Sequence, residues 1–151
     1  MGKSFTIAVF SASEKNRILD LLSDAELPIE DLTNAKLKNF LIAKGRDGAV
    51  IGVVGVEMYG NVGLLRSLTV RPSHRGIGIG HQLTREIESF AWRNGIRTLY
   101  LLTMTAAEFF PKLGYEVTQR DKVPKKIRET EEFQNVCPDS AVCLLKVLDV
   151  K

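Results

Sequence analysis

The chain has 151 residues, of which 44% are hydrophobic and 26% charged, and this length and composition predict one globular domain. The net charge of +3, from 21 Lys and Arg against 18 Asp and Glu, is too small an excess to predict a nucleic-acid-binding protein. No stretch reaches the roughly 20 apolar residues that span a bilayer, and the N-terminus lacks the apolar run and cleavage site of a secretory signal. We therefore expect a soluble, cytoplasmic protein.

The first half of the chain predicts a strand, a helix and then three antiparallel strands. Runs of β-forming residues between turn signals place the strands at residues 4–10, 40–43, 50–56 and 64–70. The helix follows the first strand, where Ser11 and Glu14 have the spacing of a capping box. Arg46-Asp47-Gly48 and Gly60-Asn61 are the turns between the later strands, which therefore form a meander.

The second half predicts two helices and three strands. An amphipathic helix begins near Gly78, has an apolar stripe through residue 91 and ends at Asn94-Gly95. Strands are expected at residues 98–103, 115–118 and 141–147. A short helix opens at Thr105 and Glu108, another capping box, and ends at Gly114. The connection at 120–138, part helical around 125–134, is long enough to suggest a functional loop.

A glycine-rich turn joins the strand at 64–70 to the amphipathic helix. Gly76, Gly78 and Gly80 stand at alternate positions, and such a turn presents backbone N–H groups at a helix N-terminus, where the helix dipole favours an anion such as a pyrophosphate. The spacing does not fit a Rossmann fingerprint, because the sixth position from Gly76 is His81, and the chain has no P-loop motif. A tight turn without a ligand is the alternative.

Residues 70–80, Val-Arg-Pro-Ser-His-Arg-Gly-Ile-Gly-Ile-Gly, resemble the acetyl-CoA signature of the GNAT family, (Gln/Arg)-x-x-Gly-x-(Gly/Ala) after a strand, with Arg75, Gly78 and Gly80 at its fixed positions. The segment from Phe109 to Tyr115 resembles the later GNAT segment that ends in Gly-Phe or Gly-Tyr. The resemblance implies an α+β fold, with a mixed, mostly antiparallel sheet of six or seven strands flanked by helices. It also implies a single acetyltransferase domain over residues 1–151 and an acetyl-CoA-dependent N-acetyltransferase activity.

The same resemblance assigns the cofactor contacts mainly to the backbone. The pantetheine arm would meet Leu68 and Val70, and the pyrophosphate would meet the amides of Arg75, Gly76, Gly78, Gly80 and His81. The Arg75 side chain either adds a phosphate contact or is a solvated surface arginine. No metal is expected, because His74 and His81 have no acidic or thiolate companion at ligand spacing.

Acetyl transfer to an amine needs a route for the amine proton, an oxyanion donor and an acid for the leaving thiolate. GNAT proteins often supply that acid as a tyrosine at the position that aligns with Phe110, so this chain lacks a hydroxyl there. Tyr59, Tyr100, Tyr115 or water are the alternatives. Glu57, which strand alternation sets on one face with Gly55 and Tyr59, is the candidate base, and an exposed carboxylate at a strand end is its alternative.

Arg66 lies inside an apolar strand, and a charge there needs a partner. Alternation predicts that Arg66 shares its face with Leu64, Leu68 and Val70. In GNAT proteins this part of the strand lines the acceptor site, so its partner is either a substrate carboxylate or an internal acid such as Glu57.

Residues 127–133 and 137–141 resemble small GNAT proteins described as arsenic-resistance N-acetyltransferases. This closer resemblance implies an amino-acid-like amine as acceptor, an arsenic-containing one among the candidates, with residues 120–138 as a wall of its site. Cys137 either contacts substrate or is a buried thiol, and Cys137 and Cys143 match neither a redox pair nor a zinc site.

The expected partners are acetyl-CoA and a small-molecule amine, without nucleic acid or membrane. Two other functions stay open: a non-catalytic acyl-CoA-binding sensor, which the absent tyrosine allows, and acetylation of a protein amine. GNAT proteins are often dimers, but no feature of this sequence indicates a homodimer interface.

Overall fold

A computed structural model describes residues 5–103, 108–130, 133–134 and 141–149. The strands are β1 Phe5–Val9, β2 Phe40–Gly45, β3 Val50–Tyr59, β4 Val62–Val70, β5 Thr98–Thr103, β6 Glu116–Thr118 and β7 Val142–Val147. The helices are α1 Lys15–Asp24, α2 Asn34–Leu37, α3 Ile79–Arg93 and α4 Lys125–Arg128. The predicted α+β fold, a mixed sheet flanked by helices, is confirmed, and all seven strands belong to one sheet.

The sheet has the strand order β1-β2-β3-β4-β5-β7-β6. All neighbours pair antiparallel except β4 and β5, which are parallel. That parallel pairing is short: only Val62, Gly63 and Leu64 of β4 are in register with β5. Beyond Leu64 the two strands diverge, and the second half of β4 has an edge that β5 does not cover.

Helices bury both faces of the sheet. On one face, α3 packs through Leu83, Ile87 and Ala91 against a core that includes Val54, Val56 and Leu65. On the other face, α1 covers β2 and β3, while α4 covers β4, β5 and β7. None of the described helices is long and apolar enough to cross a membrane.

The capping box predicted at Ser11 and Glu14 is not observed. The Ser11 hydroxyl bonds to Ser13, not to a helix amide, and a 3₁₀ turn from Ala12 to Glu14 precedes α1. Glu14, only 5% exposed, is paired with Lys44 of β2 at 2.7 Å, so its carboxylate is engaged by the sheet. The second box, at Thr105, lies outside the described residues, as does Cys137.

Helical structure is observed in both late segments where it is predicted. A 3₁₀ helix spans Phe110–Leu113, and Gly114 ends it with a φ of 97°, which glycine adopts without strain. In the segment predicted to be helical around 125–134, α4 spans Lys125–Arg128 and residues 133–134 are also helical, whereas residues 131–132 lie outside the described residues.

A bulge in β4 corrects the predicted face of Arg66. Ser67 has a φ of 64°, and the register with β3 shifts between Val53 and Gly55, so one extra residue inverts the alternation. Leu64 packs with the α4 cluster, whereas Leu68 and Val70 pack with the α3 cluster. Arg66 therefore does not share a face with Leu68 and Val70.

Candidate active site

A cleft of about 740 Å³ opens where β4 leaves β5. All seven residues that the sequence assigned to a cofactor lie along it: Leu68, Val70, Arg75, Gly76, Gly78, Gly80 and His81. Six further lining residues escaped the sequence analysis: Ala25, Leu27, Thr69, His74, Ile79 and Phe109. Ala25 and Leu27 follow α1, and only the tertiary packing brings that loop to the cleft.

The glycine turn leaves a row of backbone amides open to this cleft. Gly76 and Gly78 have φ values of 85° and 89°, a conformation that strains any other residue. No described atom lies within 4 Å of a Cβ built at either glycine. Gly78 is the N-cap of α3, and no side chain in the described part of the chain caps the helix. The amides of its first turn therefore have no intrahelical acceptor, and together with the dipole they form a site that fits a phosphate group.

Arg75 is exposed and is attached to the end of β4. Its Nε donates to the Val70 carbonyl oxygen at 3.0 Å, which leaves the terminal nitrogens of the guanidinium for a contact at the cleft. His74 shares a 2.9 Å hydrogen bond with the Ser73 hydroxyl. Among the described residues no group of three His, Cys, Asp or Glu side chains could hold a metal ion.

The two phenylalanines after β5 have different environments. Phe110, the residue that the sequence resemblance aligns with the GNAT tyrosine, is 3% exposed. Its ring packs edge-on against those of Phe109 and Tyr115, with centroids 5.1 and 5.4 Å away. Phe109 lines the cleft, and its Cζ lies 3.6 Å from the position of a Cβ on Gly80. The ring that faces the cleft is therefore Phe109, and Phe110 is a core residue.

The described residues that line the cleft include no tyrosine. The Tyr115 hydroxyl donates to Glu88 at 2.9 Å beneath α3, and burial together with the Glu88 carboxylate raises the pKa of Tyr115 well above its usual value. Tyr100 packs with the α4 cluster, where burial raises its pKa. Neither residue is placed to protonate a thiolate in the cleft.

A buried ion-pair network lies on the face of the sheet that α1 covers. Arg66 Nη1 bonds to Asp31 at 2.5 Å and to Glu57 at 2.6 Å, and Nη2 bonds to the second Asp31 oxygen at 2.8 Å. The side chains of Arg66 and Asp31 are 0% exposed and that of Glu57 is 5% exposed. This bidentate geometry fixes the loop before α2 against the bulge of β4.

Lys36 and Tyr59 complete the network. Lys36 contacts Asp31 at 2.9 Å, and the Tyr59 hydroxyl donates a short hydrogen bond to Glu57. Burial alone would raise the pKa of Asp31, but hydrogen bonds and charge from Arg66 and Lys36 outweigh it and lower this pKa from 3.8 to about 2. Burial and the hydrogen bond to Glu57 raise the pKa of Tyr59.

This network decides between the alternatives for Arg66 and Glu57. The internal ion pair between them is confirmed. A direct contact between Arg66 and a substrate carboxylate is not supported, because the fully buried guanidinium already binds two carboxylates. The exposed-carboxylate alternative for Glu57 is wrong, and a role for Glu57 as base stays a prediction. The sequence analysis missed Asp31, whose only signal is an acid between Ile29 and Leu32.

The parallel pair of β4 and β5 opens beside the glycine turn and the N-terminus of α3. In a comparison with protein families, residues 36–117, more than half of the chain, match the acetyltransferase (GNAT) domain. The chain belongs to the GNAT acetyltransferase family.

Curated relatives are similar over part of their length. An uncharacterised N-acetyltransferase of Chlorobaculum tepidum is 29% identical over 108 residues, which cover 71% of this chain and 66% of the relative. An amino-acid acetyltransferase of Ralstonia nicotianae is 29% identical over 105 residues, 68% of this chain and 23% of the relative. One from Pseudomonas syringae pv. syringae is 39% identical over 72 residues, 48% of this chain and 17% of the relative. The chain thus spans only a minor part of the amino-acid acetyltransferases.

Solved structures share the fold at lower identity. N-acetylglutamate synthase from Neisseria gonorrhoeae, complexed with coenzyme A and N-acetyl-glutamate, has a TM-score of 0.86 at 20% identity, with 99% of this chain and 36% of that chain covered. A Mycobacterium tuberculosis protein in complex with CoA has a TM-score of 0.79 at 21% identity, with 95% and 99% covered. At these identities the likeness establishes the fold.

Proposed function

We propose that this chain is an acetyl-CoA-dependent N-acetyltransferase that acetylates the amine of a small, amino-acid-like acceptor, and that residues 1–151 form one domain for this activity. The observation that carries the proposal is the cleft at the β4–β5 divergence, where the glycine turn presents the unpaired amides of α3. A pyrophosphate fits those amides by hydrogen bonding and by the helix dipole.

The fit extends along the cleft in both chemistry and shape. Leu68 and Val70 lie on the part of β4 that β5 leaves uncovered, so their backbone groups are available to an amide-containing arm such as pantetheine. Leu27 and Phe109 supply apolar walls. Acetyl-CoA, when bound, supplies an activated thioester whose carbonyl carbon an amine can attack.

The chain's own residues suit this reaction by binding and orientation more than by acid–base chemistry. No tyrosine lines the described part of the cleft, so we propose that water protonates the leaving thiolate. Glu57 already accepts hydrogen bonds from Arg66 and Tyr59. Any action of Glu57 as base on the acceptor amine therefore runs through a water molecule.

An amino-acid-like acceptor is supported by the relatives, several of which are named amino-acid acetyltransferases. A structural neighbour was crystallised with N-acetyl-glutamate. The resemblance of the late loop to arsenic-resistance N-acetyltransferases adds arsenic-containing amino acids to the acceptors worth testing.

The test measures CoA release from acetyl-CoA by thiol detection, across free amino acids, an arsenic-containing amino acid and a peptide amine, with calorimetry of acetyl-CoA binding alongside. Release with a free amino acid, with the N-acetylated product identified by mass, is the expected result. Release with the peptide alone would favour a protein-amine acetyltransferase. Binding without release for any amine would favour an acyl-CoA sensor, and absence of binding would refute the proposal.

A further inference from the structure

A second cleft, of about 760 Å³, lies on the other side of the α3 N-terminus. Its walls are α3, the 3₁₀ turn after β5 and the end of β7. The two clefts share their border: His81 lines both, and the turn that supplies Phe109 to the first cleft supplies Lys112 to the second. A ligand that leaves the first cleft past His81 therefore enters the second.

The described lining of the second cleft carries three basic and three acidic side chains, and they differ in whether they are paired. Deeper in, Glu88 is paired with Lys146 at 3.0 Å. Arg85 and Lys112 are both exposed and form no ion pair within the described part of the chain. The two remaining acids of the described lining are Glu86 and Asp149.

Glu86 lies between the second cleft and a groove beside β1, and it lines both. It accepts a hydrogen bond from Gln82 at 3.0 Å, and Gln82 also lines the groove. The described lining of that groove contains an acid and no base, so a second anionic group of a ligand bound at the α3 N-terminus is disfavoured there. It is favoured on the side that carries Arg85 and Lys112.

Coenzyme A carries such a second anion, because its ribose bears a 3′-phosphate in addition to the pyrophosphate. We propose that the second cleft receives this 3′-phosphate, with Arg85 and Lys112 as its ligands, so that the protein selects CoA over dephospho-CoA. The inference rests on the proposed function, since it places the pyrophosphate at the amides of the glycine turn.

The two side chains suit a terminal phosphate in different ways. Arg85 follows His81 by four residues, so both lie on one face of α3, one turn apart. The Arg85 guanidinium can donate hydrogen bonds to two phosphate oxygens at once. Lys112 approaches from the turn after β5 and adds a mobile point charge. Together they bracket a phosphate between two elements.

The experiment is calorimetric titration of the whole chain with CoA and with dephospho-CoA, which differ only in the 3′-phosphate. We expect CoA to bind roughly tenfold tighter or more, the factor that one hydrogen bond to a charged group supplies. Arg85→Gln and Lys112→Gln should each weaken CoA binding while leaving dephospho-CoA binding unchanged. Arg93→Gln, on the same helix two turns beyond Arg85 and outside the cleft lining, is the matched control and should preserve the ratio.

The outcomes separate this inference from the proposed function. Equal affinity of the unaltered chain for CoA and dephospho-CoA would overturn the inference and leave the proposed function standing. A preference for CoA that survives both Arg85→Gln and Lys112→Gln would overturn the assignment to this cleft. Failure of both nucleotides to bind would overturn the proposed function, and the inference with it.

Discussion

Replacing Arg66 by methionine should destabilise the protein severely, because its buried guanidinium hydrogen-bonds both buried carboxylates of the network. Methionine fills a similar volume without a charge. Asp31, with a side chain that is 0% exposed, and Glu57, at 5%, would then lie close together without their shared counter-ion. Among the described cations, Lys36, 26% exposed, would remain paired with them.

The magnitude follows from the pKa of Asp31 and from the cost of buried charge. The lowering of this pKa from 3.8 to about 2 corresponds to about 2.5 kcal/mol of stability at neutral pH, at about 1.4 kcal/mol for each pKa unit. Removal of one partner from a buried ion pair costs about 3–5 kcal/mol in general. Since Arg66 serves two carboxylates, we expect a loss within about 3–5 kcal/mol of unfolding free energy.

Urea unfolding followed by circular dichroism measures this loss, and a double-mutant cycle assigns it. Asp31→Asn combined with Arg66→Met should cost less than the sum of the single variants, with a coupling of about 2 kcal/mol. Lys125→Met is the control, because its pair with Glu129 spans 3.9 Å between exposed side chains and should matter by less than about 0.5 kcal/mol. A loss below about 1 kcal/mol for Arg66→Met, or additive single effects, would refute the reasoning.

Three further predictions concern the cofactor turn, the core and acid stability. Gly78→Asp should abolish acetyl-CoA binding in calorimetry. Gly48 has a similar φ of 82° in an exposed turn, so Gly48→Asp is the control and should bind acetyl-CoA normally. Equal loss of binding in both variants would point to backbone strain alone. Gly55→Ala should lower the free energy of unfolding by about 1–3 kcal/mol or more, because its Cβ would lie 2.2 Å from the Phe40 ring. Thermal unfolding measures this loss, and Phe40→Leu should recover part of it. Because the pKa of Asp31 is about 2 in the folded protein against 3.8 ordinarily, its contribution to stability is complete above about pH 5 and is lost as the pH falls towards 2. Asp31→Asn should flatten this part of the stability profile, and an unchanged slope would contradict the lowered pKa.

Sequence patterns predicted the features of this protein that depend on neighbours along the chain. The long helix α3 and most strand bounds follow from apolar periodicity, which local backbone geometry imposes. The glycine turn was found because Gly76 and Gly78 adopt left-handed φ values that select glycine wherever the turn occurs. Family resemblance then indicated the cofactor.

Other local signals failed where a distant residue competed for the same group. The capping box at Ser11 and Glu14 was wrong, because Lys44, thirty positions later, takes the Glu14 carboxylate. The face of Arg66 was wrong because strand alternation cannot anticipate a bulge at Ser67.

What the sequence by itself determined is therefore the order of elements, the family resemblance and the phosphate-binding turn, all of which are encoded by short-range spacing and backbone preference. Only the tertiary structure decided that Arg66 pairs with Asp31, thirty-five positions away. It also decided that Phe109 and not Phe110 faces the cleft, and that Arg85 and Lys112 line the same second cleft. Each of these depends on which surfaces the packed helices and sheet bring together, and that information is absent from local periodicity.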